Sequence, residues 1–235
     1  MKKKVLITGA SKGIGESIAV NLAKFSEYEI FITGRDEILL KKLAQKIGAS
    51  YFAIDLLEEY ACKELISKAG NIDILINNAG EYVWSPVEKV FDEQIERIFN
   101  LNLKVSYKLI SLVTKEMKER KFGRIINIGS ISGAVGEANA SLYSASKSGL
   151  IGMTKALALE LAEHGITVNV INPGWVKTNL VDNLDIDIDE EIACVPQKRF
   201  IHPDEIAKMV EYLASDAAKG LTGQSLNLCA GLSLG

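Results

Sequence analysis

Short apolar runs recur along this chain, separated by amphipathic stretches, and no other feature narrows its fold so far. Residues 5–8, 30–33, 51–55, 72–77, 124–129, 166–171 and 225–228 read as strands. Helical periodicity fills the intervals at 13–25, 37–47, 58–69, 88–120 (in two pieces), 143–163 and 203–214. Runs that are apolar on both faces belong in a parallel sheet covered by helices on both sides. Right-handed crossovers then lead to an α/β fold built on a single doubly wound parallel sheet. No Pro/Gly/Ser-rich linker divides the 235 residues, so one domain over 1–235 is expected.

Composition excludes several classes. Lys and Arg total 27 against 30 Asp and Glu, a net charge of −3, so the chain lacks a basic field for nucleic acid. Cys62, Cys194 and Cys229 are far apart and form no C-x-x-C, which predicts reduced thiols. His164 and His202 are too scattered for a zinc site, and no metal is expected. The basic opening Lys2-Lys3-Lys4 is followed by an apolar run too short for a signal peptide. No stretch approaches the roughly 18 apolar residues of a membrane span. The expectation is a soluble cytoplasmic protein with no nucleic-acid or membrane partner. The least regular segment, 178–201, holds six acids between Asp182 and Glu191. It reads either as a substrate lid or as a solvated loop with short helices.

Thr8-Gly9-Ala10-Ser11-Lys12-Gly13-Ile14-Gly15 follows the first strand directly and opens the first helix. Gly9 suits a tight turn at positive φ, Gly13 a close approach of ligand to backbone, and Gly15 the packing of helix on strand. The helix N-terminus offers free N–H groups and a positive dipole end to a pyrophosphate. In such a Rossmann-type fold an acid at the end of the second strand would grip the adenosine ribose of NAD. Gly34 stands there instead, followed by Arg35. Arg35 with Lys12 would neutralise a 2′-phosphate, which points to NADP(H). The alternative leaves Arg35 on the surface and Asp36 capping the next helix. Asp55, at the end of the third strand, suits either the adenine amine or a helix cap, and Leu56 follows it into the same cofactor region.

Tyr143 and Lys147 stand four residues apart on an expected helix and so share a face. A nearby ammonium favours a phenolate, which would bring tyrosine into range as a proton donor to a carbonyl receiving hydride. Ser130 ends the fifth strand, where ligands of such sheets sit, and its hydroxyl would hold the substrate oxygen. Asn102 falls inside a helix that its type does not favour, and gripping a water there would explain it. Capping for Ser130 and plain exposure for Asn102 are the alternatives.

With these residues placed, the chain resembles the short-chain dehydrogenase/reductase family over essentially its full length. The resemblance rests on Thr8 to Gly15, Asn77-Asn78-Ala79-Gly80, Ser130, Tyr143-x-x-x-Lys147 and Asn172-Pro173-Gly174. It implies hydride transfer between a nicotinamide and a ketone or secondary alcohol. Asn102, Ser130, Tyr143 and Lys147 fall on the family's catalytic tetrad. Tyr143 would be the acid/base, Ser130 would orient the carbonyl, Lys147 would bind the nicotinamide ribose, and Asn102 would anchor a relay water. Asn78, Ala79 and Gly80 would line the cofactor, and Pro173, Gly174, Val176 and Thr178 would meet its nicotinamide end.

Within the family, the segments Gly123–Ser130, Gly165–Val170, Pro203–Ala207 and Leu221–Gln224 are most similar to 3-oxoacyl-[acyl-carrier-protein] reductases. Those enzymes carry rim arginines that dock the acidic carrier. Lys121 and His164 replace them here, and the acids of 182–191 would repel such a carrier. The substrate is thus either an acyl thioester or a small diketone, sugar or ring ketone. An NADP(H)-sensing or scaffold protein on the same fold is the alternative of another class. Family members commonly assemble as tetramers through the helices over 88–120 and 143–163. Ile95, Leu101, Leu109, Leu112, Leu150, Met153, Leu157 and Leu161 are the apolar candidates for that tetramer or dimer contact.

Overall fold

Strand residues alternate between two cores. In the computed structural model, which describes residues 2–178 and 188–233, β1 (Lys3–Thr8) sends Val5 and Ile7 to one face of the sheet and Leu6 to the other. The first face packs on α1 (Gly13–Leu22), through Ile18 and Leu22, and on α9 (Pro203–Ala214), through Val210 and Leu213. The second packs on α3 (Ala61–Ala69), α5 (Val105–Arg120) and α7 (Ser141–Leu161), through Leu65, Leu109 and Leu161. A strand with helices on both faces has no polar side, which is why its sequence is an unbroken apolar run.

The remaining strands are β2 (Tyr28–Gly34), β3 (Ser50–Ala53), β4 (Ile74–Asn77), β5 (Gly123–Ile128), β6 (Ile166–Pro173) and β7 (Ser225–Leu228). All pair parallel in the order β3-β2-β1-β4-β5-β6-β7. The expected doubly wound sheet is therefore present. Its order reverses between β1 and β4, where Val5 stands opposite Ile74 and Ile7 opposite Ile76. A crevice opens at the carboxyl ends of these two strands, the place where such sheets bind ligands.

Several boundaries differ from expectation. α1 ends at Leu22 rather than 25, because Ala23 to Phe25 leave the helix in a turn that feeds β2. α3 begins at Ala61, after turns in which Glu58 N–H reaches Asp55 and Ala61 N–H reaches Glu58. The helical region over 88–120 divides into α4 (Asp92–Phe99) and α5, joined by a π-helical turn at Asn100–Lys104. There the N–H of Val105 reaches back five residues to the carbonyl of Asn100. α6 (Ile131–Val135), unexpected from the sequence, is capped by Ser130. α2 (Glu37–Ile47) matches its expected span. Of the irregular segment 178–201, positions 179–187 lie outside the described residues, and α8 (Ile188–Cys194) follows them.

A buried polar chain fixes α7 to the sheet. Asn77 Nδ2 donates to Asn127 Oδ1 at 2.9 Å, and Asn127 Nδ2 donates to Thr154 Oγ1 at 2.9 Å. Asn127 and Thr154 are fully buried, so each bond lost there leaves a group without water. Asn127→Leu should lower unfolding free energy by roughly 2–4 kcal/mol, read as a lower urea midpoint at unchanged slope.

Candidate active site

The turn after β1 has the geometry of an anion cradle. Gly9 has φ +64° and Gly13 φ +61°, conformations that favour glycine. A Cβ on Gly9 would lie 2.8 Å from Ala79 Cα, so the turn and the 77–80 segment touch backbone to backbone. Gly15 serves the same closeness from inside the helix, since its Cβ would meet the carbonyl oxygen of Gly9. Asn78 ties the two loops together. Its Nδ2 donates to the Thr8 and Gly9 carbonyls at 2.9 and 3.0 Å, while Thr8 Oγ1 accepts the N–H of Asn78 and of Ala79 at 3.0 Å each. The N-terminus of α1 carries no side-chain cap, so its first N–H groups face the cleft.

Gly9, Ser11, Lys12, Gly13, Ile14, Arg35, Asp55, Leu56, Asn78, Ala79, Gly80, Tyr143, Lys147 and Thr178 all line this cleft, of about 260 Å³. Gly15 does not, being buried behind the turn. Pro173, Gly174 and Val176 also lie elsewhere: they line a second cavity of about 520 Å³ that shares Ile14, Tyr82, Gly129, Tyr143 and Thr178 with the first. The capping alternative holds for Asp36, whose Oδ1 accepts the Leu39 N–H at 3.0 Å at the start of α2. Asp55 caps no helix: its Oδ1 accepts the Leu57 N–H at 3.0 Å in a turn ahead of α3.

Tyr143 stands where the two cavities meet. Ser130 borders the second cavity and touches the Tyr143 phenol through a hydrogen bond. Lys147, one turn further along α7, is buried, and its Nζ donates to the Ile128 carbonyl at 2.9 Å. Burial alone pushes the ammonium down to about 8. The expectation that Lys147 would lower the phenol does not hold in this arrangement. The ammonium sits 5.6 Å from the ring centroid and aims at the sheet, while desolvation pushes Tyr143 up to about 12 against the opposing pull of Ser130. Tyr143 is a firmly held proton.

Asn102 is 1% exposed and its side-chain amide is bonded within the chain: Oδ1 accepts the Glu81 N–H at 2.8 Å, and Nδ2 donates to the Glu81 carbonyl and to Ser146 Oγ at 2.9 and 3.0 Å. Its side chain braces the loop after Gly80 against α7.

Lys121 and His164 do not lie at the cleft rim. They precede β5 and β6, at the opposite edge of the sheet from the strand ends that form the site. Among the proposed assembly residues, Leu101, Leu109, Leu150 and Leu161 are buried within the chain. Ile95 is exposed, and Phe91, Phe99 and Tyr107 join it on the surface.

Sequence reasoning missed Glu81, Tyr82, Ser132 and Glu137. Glu81 lines the cleft, held by a two-pronged Arg97 at 2.6 Å, with Arg35 at 3.4 Å. The Arg97 bonds hold its carboxyl below the usual carboxylate range. Tyr82 packs edge-on against Tyr143 at 4.9 Å. Their only sequence signal was adjacency to Gly80 and to Ser130. Among the described residues no acid, histidine or cysteine cluster is arranged for a metal.

Lys147→Met tests the buried charge. The folded-state value lies below the unfolded one, so the unfolded chain binds more protons between about pH 8 and 10.5, and parent stability gains from Lys147 as pH rises through that window. The variant should therefore melt higher than the parent at pH 7, and the gap should close above pH 8. A constant gap by scanning calorimetry would refute the buried ammonium.

A family model described as short chain dehydrogenase matches residues 3–189. The 3-oxoacyl-[acyl-carrier-protein] reductase FabG of Rickettsia conorii is 39% identical over 233 residues, covering 98% of this chain and 96% of the relative. The protein of the same name from Staphylococcus epidermidis is 36% identical over 245 residues, covering 99% of each. Among solved structures, an actinorhodin polyketide ketoreductase with NADPH superposes with a TM-score of 0.89 at 35% identity, over 98% of this chain and 97% of that one. The ordered motifs, the sheet order and these matches together place the chain in the short-chain dehydrogenase family, as an oxidoreductase acting with a nicotinamide cofactor.

Proposed function

We propose that the chain is an NADPH-dependent ketoreductase in which Tyr143 delivers the proton. The observation that carries this reading is the meeting of Tyr143, Ser130 and Lys147 at the junction of two cavities on the carboxyl ends of the strands. The cleft fits a dinucleotide: Gly9 and Gly13 at positive φ leave a cradle, α1 presents uncapped N–H groups, and Lys12 and Arg35 lie on the same cleft. When bound, the nicotinamide supplies the hydride. Tyr143 holds a proton beside the position the substrate carbonyl oxygen would take. Ser130 fixes that oxygen, and Lys147, held by the Ile128 carbonyl, keeps a positive charge below the site. Asn102 acts through its brace on Glu81 and Ser146.

Arg35 is the group we assign to a 2′-phosphate. Arg97 already neutralises Glu81 with two bonds, which leaves the Arg35 guanidinium with one longer contact and more than half exposed. The relatives named as 3-oxoacyl-[acyl-carrier-protein] reductases support an acyl thioester as substrate. Within a single domain over 1–235, the described part of the segment 178–201 borders the substrate side through Thr178 and Glu191. It is pinned at its end by Ile201 N–H to Trp175 O at 2.7 Å. A second copy of this chain would cover the face bearing Ile95, Phe99, Tyr107 and Met153, giving a homodimer or homotetramer. No helix among the described residues is long and apolar enough to cross a membrane.

Tyr143→Phe should lower kcat by about 10²–10⁴, the span a positioned general acid contributes, while the NADPH Kd stays within about twofold. Turnover at the parent rate, followed at the nicotinamide absorbance, would remove Tyr143 from the mechanism. Arg35→Asp should weaken NADPH by roughly 10–100-fold, the worth of a charge-assisted hydrogen bond, and should tighten NADH. An unchanged ratio of the two Kd values in fluorescence titrations would refute the 2′-phosphate assignment.

A further inference from the structure

Charge along the cofactor cleft is balanced by its own lining. Away from Lys147, two cations, Lys12 and Arg35, face two acids, Asp55 and Glu81. A wall of that composition gives a 2′-phosphate no net attraction. Arg97 tips the balance from outside. It stands in the last turn of α4 and is not a cleft-lining residue, yet it takes both oxygens of the Glu81 carboxylate: Nε donates to Oε2 and Nη2 to Oε1, each at 2.6 Å. Such a fork fixes direction as well as charge.

The helical segment 92–104 holds Glu81 a second time, by its backbone. Asn102, on the π-helical turn after α4, accepts the Glu81 N–H and donates to the Glu81 carbonyl. Carboxylate and main chain are thus anchored to one segment, and Glu81 is held off Arg35. The contact between these two is 3.4 Å, and it falls on Oε1, which Arg97 already bonds.

Resting on the assignment of Arg35 to a 2′-phosphate, we propose that Arg97 is a positioning residue that sets the coenzyme preference, clamping Glu81 so that Arg35 stays free for the phosphate. Without Arg97, the Glu81 charge would pair with Arg35 and repel the phosphate. NADH carries ribose hydroxyls at that place, and a carboxylate accepts hydrogen bonds from them, as the acid at the end of the second strand does in NAD-binding sheets. Glu81 reaches the region of Arg35 from the loop after Gly80, and Arg97 keeps that acid neutralised.

The test is titration of the full chain with NADPH and with NADH, read by fluorescence. Arg97 is partly exposed, so its replacement leaves both cores untouched. Arg97→Met should weaken NADPH by about fivefold or more, while the NADH Kd stays within about twofold or falls. The NADPH loss should shrink at high ionic strength, as a charge effect at a partly exposed site does. Adding Glu81→Gln to Arg97→Met removes the unpaired charge and should return the NADPH Kd to within about twofold of the parent. Equal weakening of both coenzymes by Arg97→Met, no weakening of NADPH, or a double variant as weak toward NADPH as Arg97→Met alone would overturn the proposal and leave the Arg35 assignment standing. A parent that binds NADPH no tighter than NADH would overturn both.

Discussion

The Thr8 hydroxyl and the Asn78 amide hold together the two strand ends between which everything else is placed. β1 and β4 are neighbours in the sheet but lie on opposite sides of its reversal, so their following loops diverge and leave a crevice. Divergent loops have backbone N–H and C=O groups that no strand partner satisfies. Thr8 Oγ1 takes two of those N–H groups, and Asn78 Nδ2 covers two of the carbonyls. The crevice is thus a rigid feature of the strand ends; the glycines at 9 and 15 stand where backbone meets backbone with no room for a Cβ, and Gly13 where the turn takes a positive φ.

The proton machinery depends on α7 in a different way. Among the described residues no carboxylate acts on the buried Lys147, and its Nζ donates to the Ile128 carbonyl. Such a group costs folding free energy, and the buried chain Asn77, Asn127 and Thr154 compensates by anchoring the helix that carries it. Tyr143 is pushed the opposite way by the same loss of solvent. Burial therefore works on both groups at once, leaving a phenol that keeps its proton above an amine that sheds its own more readily than usual. That ordering keeps Tyr143 protonated while the cleft is empty.

Polarity is divided between the two cavities. The cofactor side collects cations, with Lys12 and Arg35 lining the cleft and Arg97 bonded to Glu81. The substrate side has Glu137 and Glu191, with Trp84 and Trp175 supplying apolar wall. The exposed apolar face around Phe99 and Tyr107 lies on α4 and α5, away from that wall.

The strands, most helices and the cleft-lining motifs were legible in the sequence because they are local. An apolar run, a glycine spacing and a Tyr-x-x-x-Lys interval each carry their physics within a few residues. The meeting of residues far apart in sequence was not legible. Glu81 gave no signal beyond its place after Gly80, since its partners Arg97 and Arg35 lie sixteen residues ahead and forty-six behind. Asn102 was singled out for its type, yet its partners Glu81 and Ser146 come from other elements and consume the amide. The placement of Pro173 to Val176 beside the substrate cavity, and the burial that raises Tyr143 while lowering Lys147, also belong to the tertiary structure. Periodicity and backbone freedom are properties of consecutive residues, and so the chain alone determined its sheet and its phosphate turn. Desolvation and hydrogen-bond direction are properties of surroundings, which come into being only when the sheet closes around them.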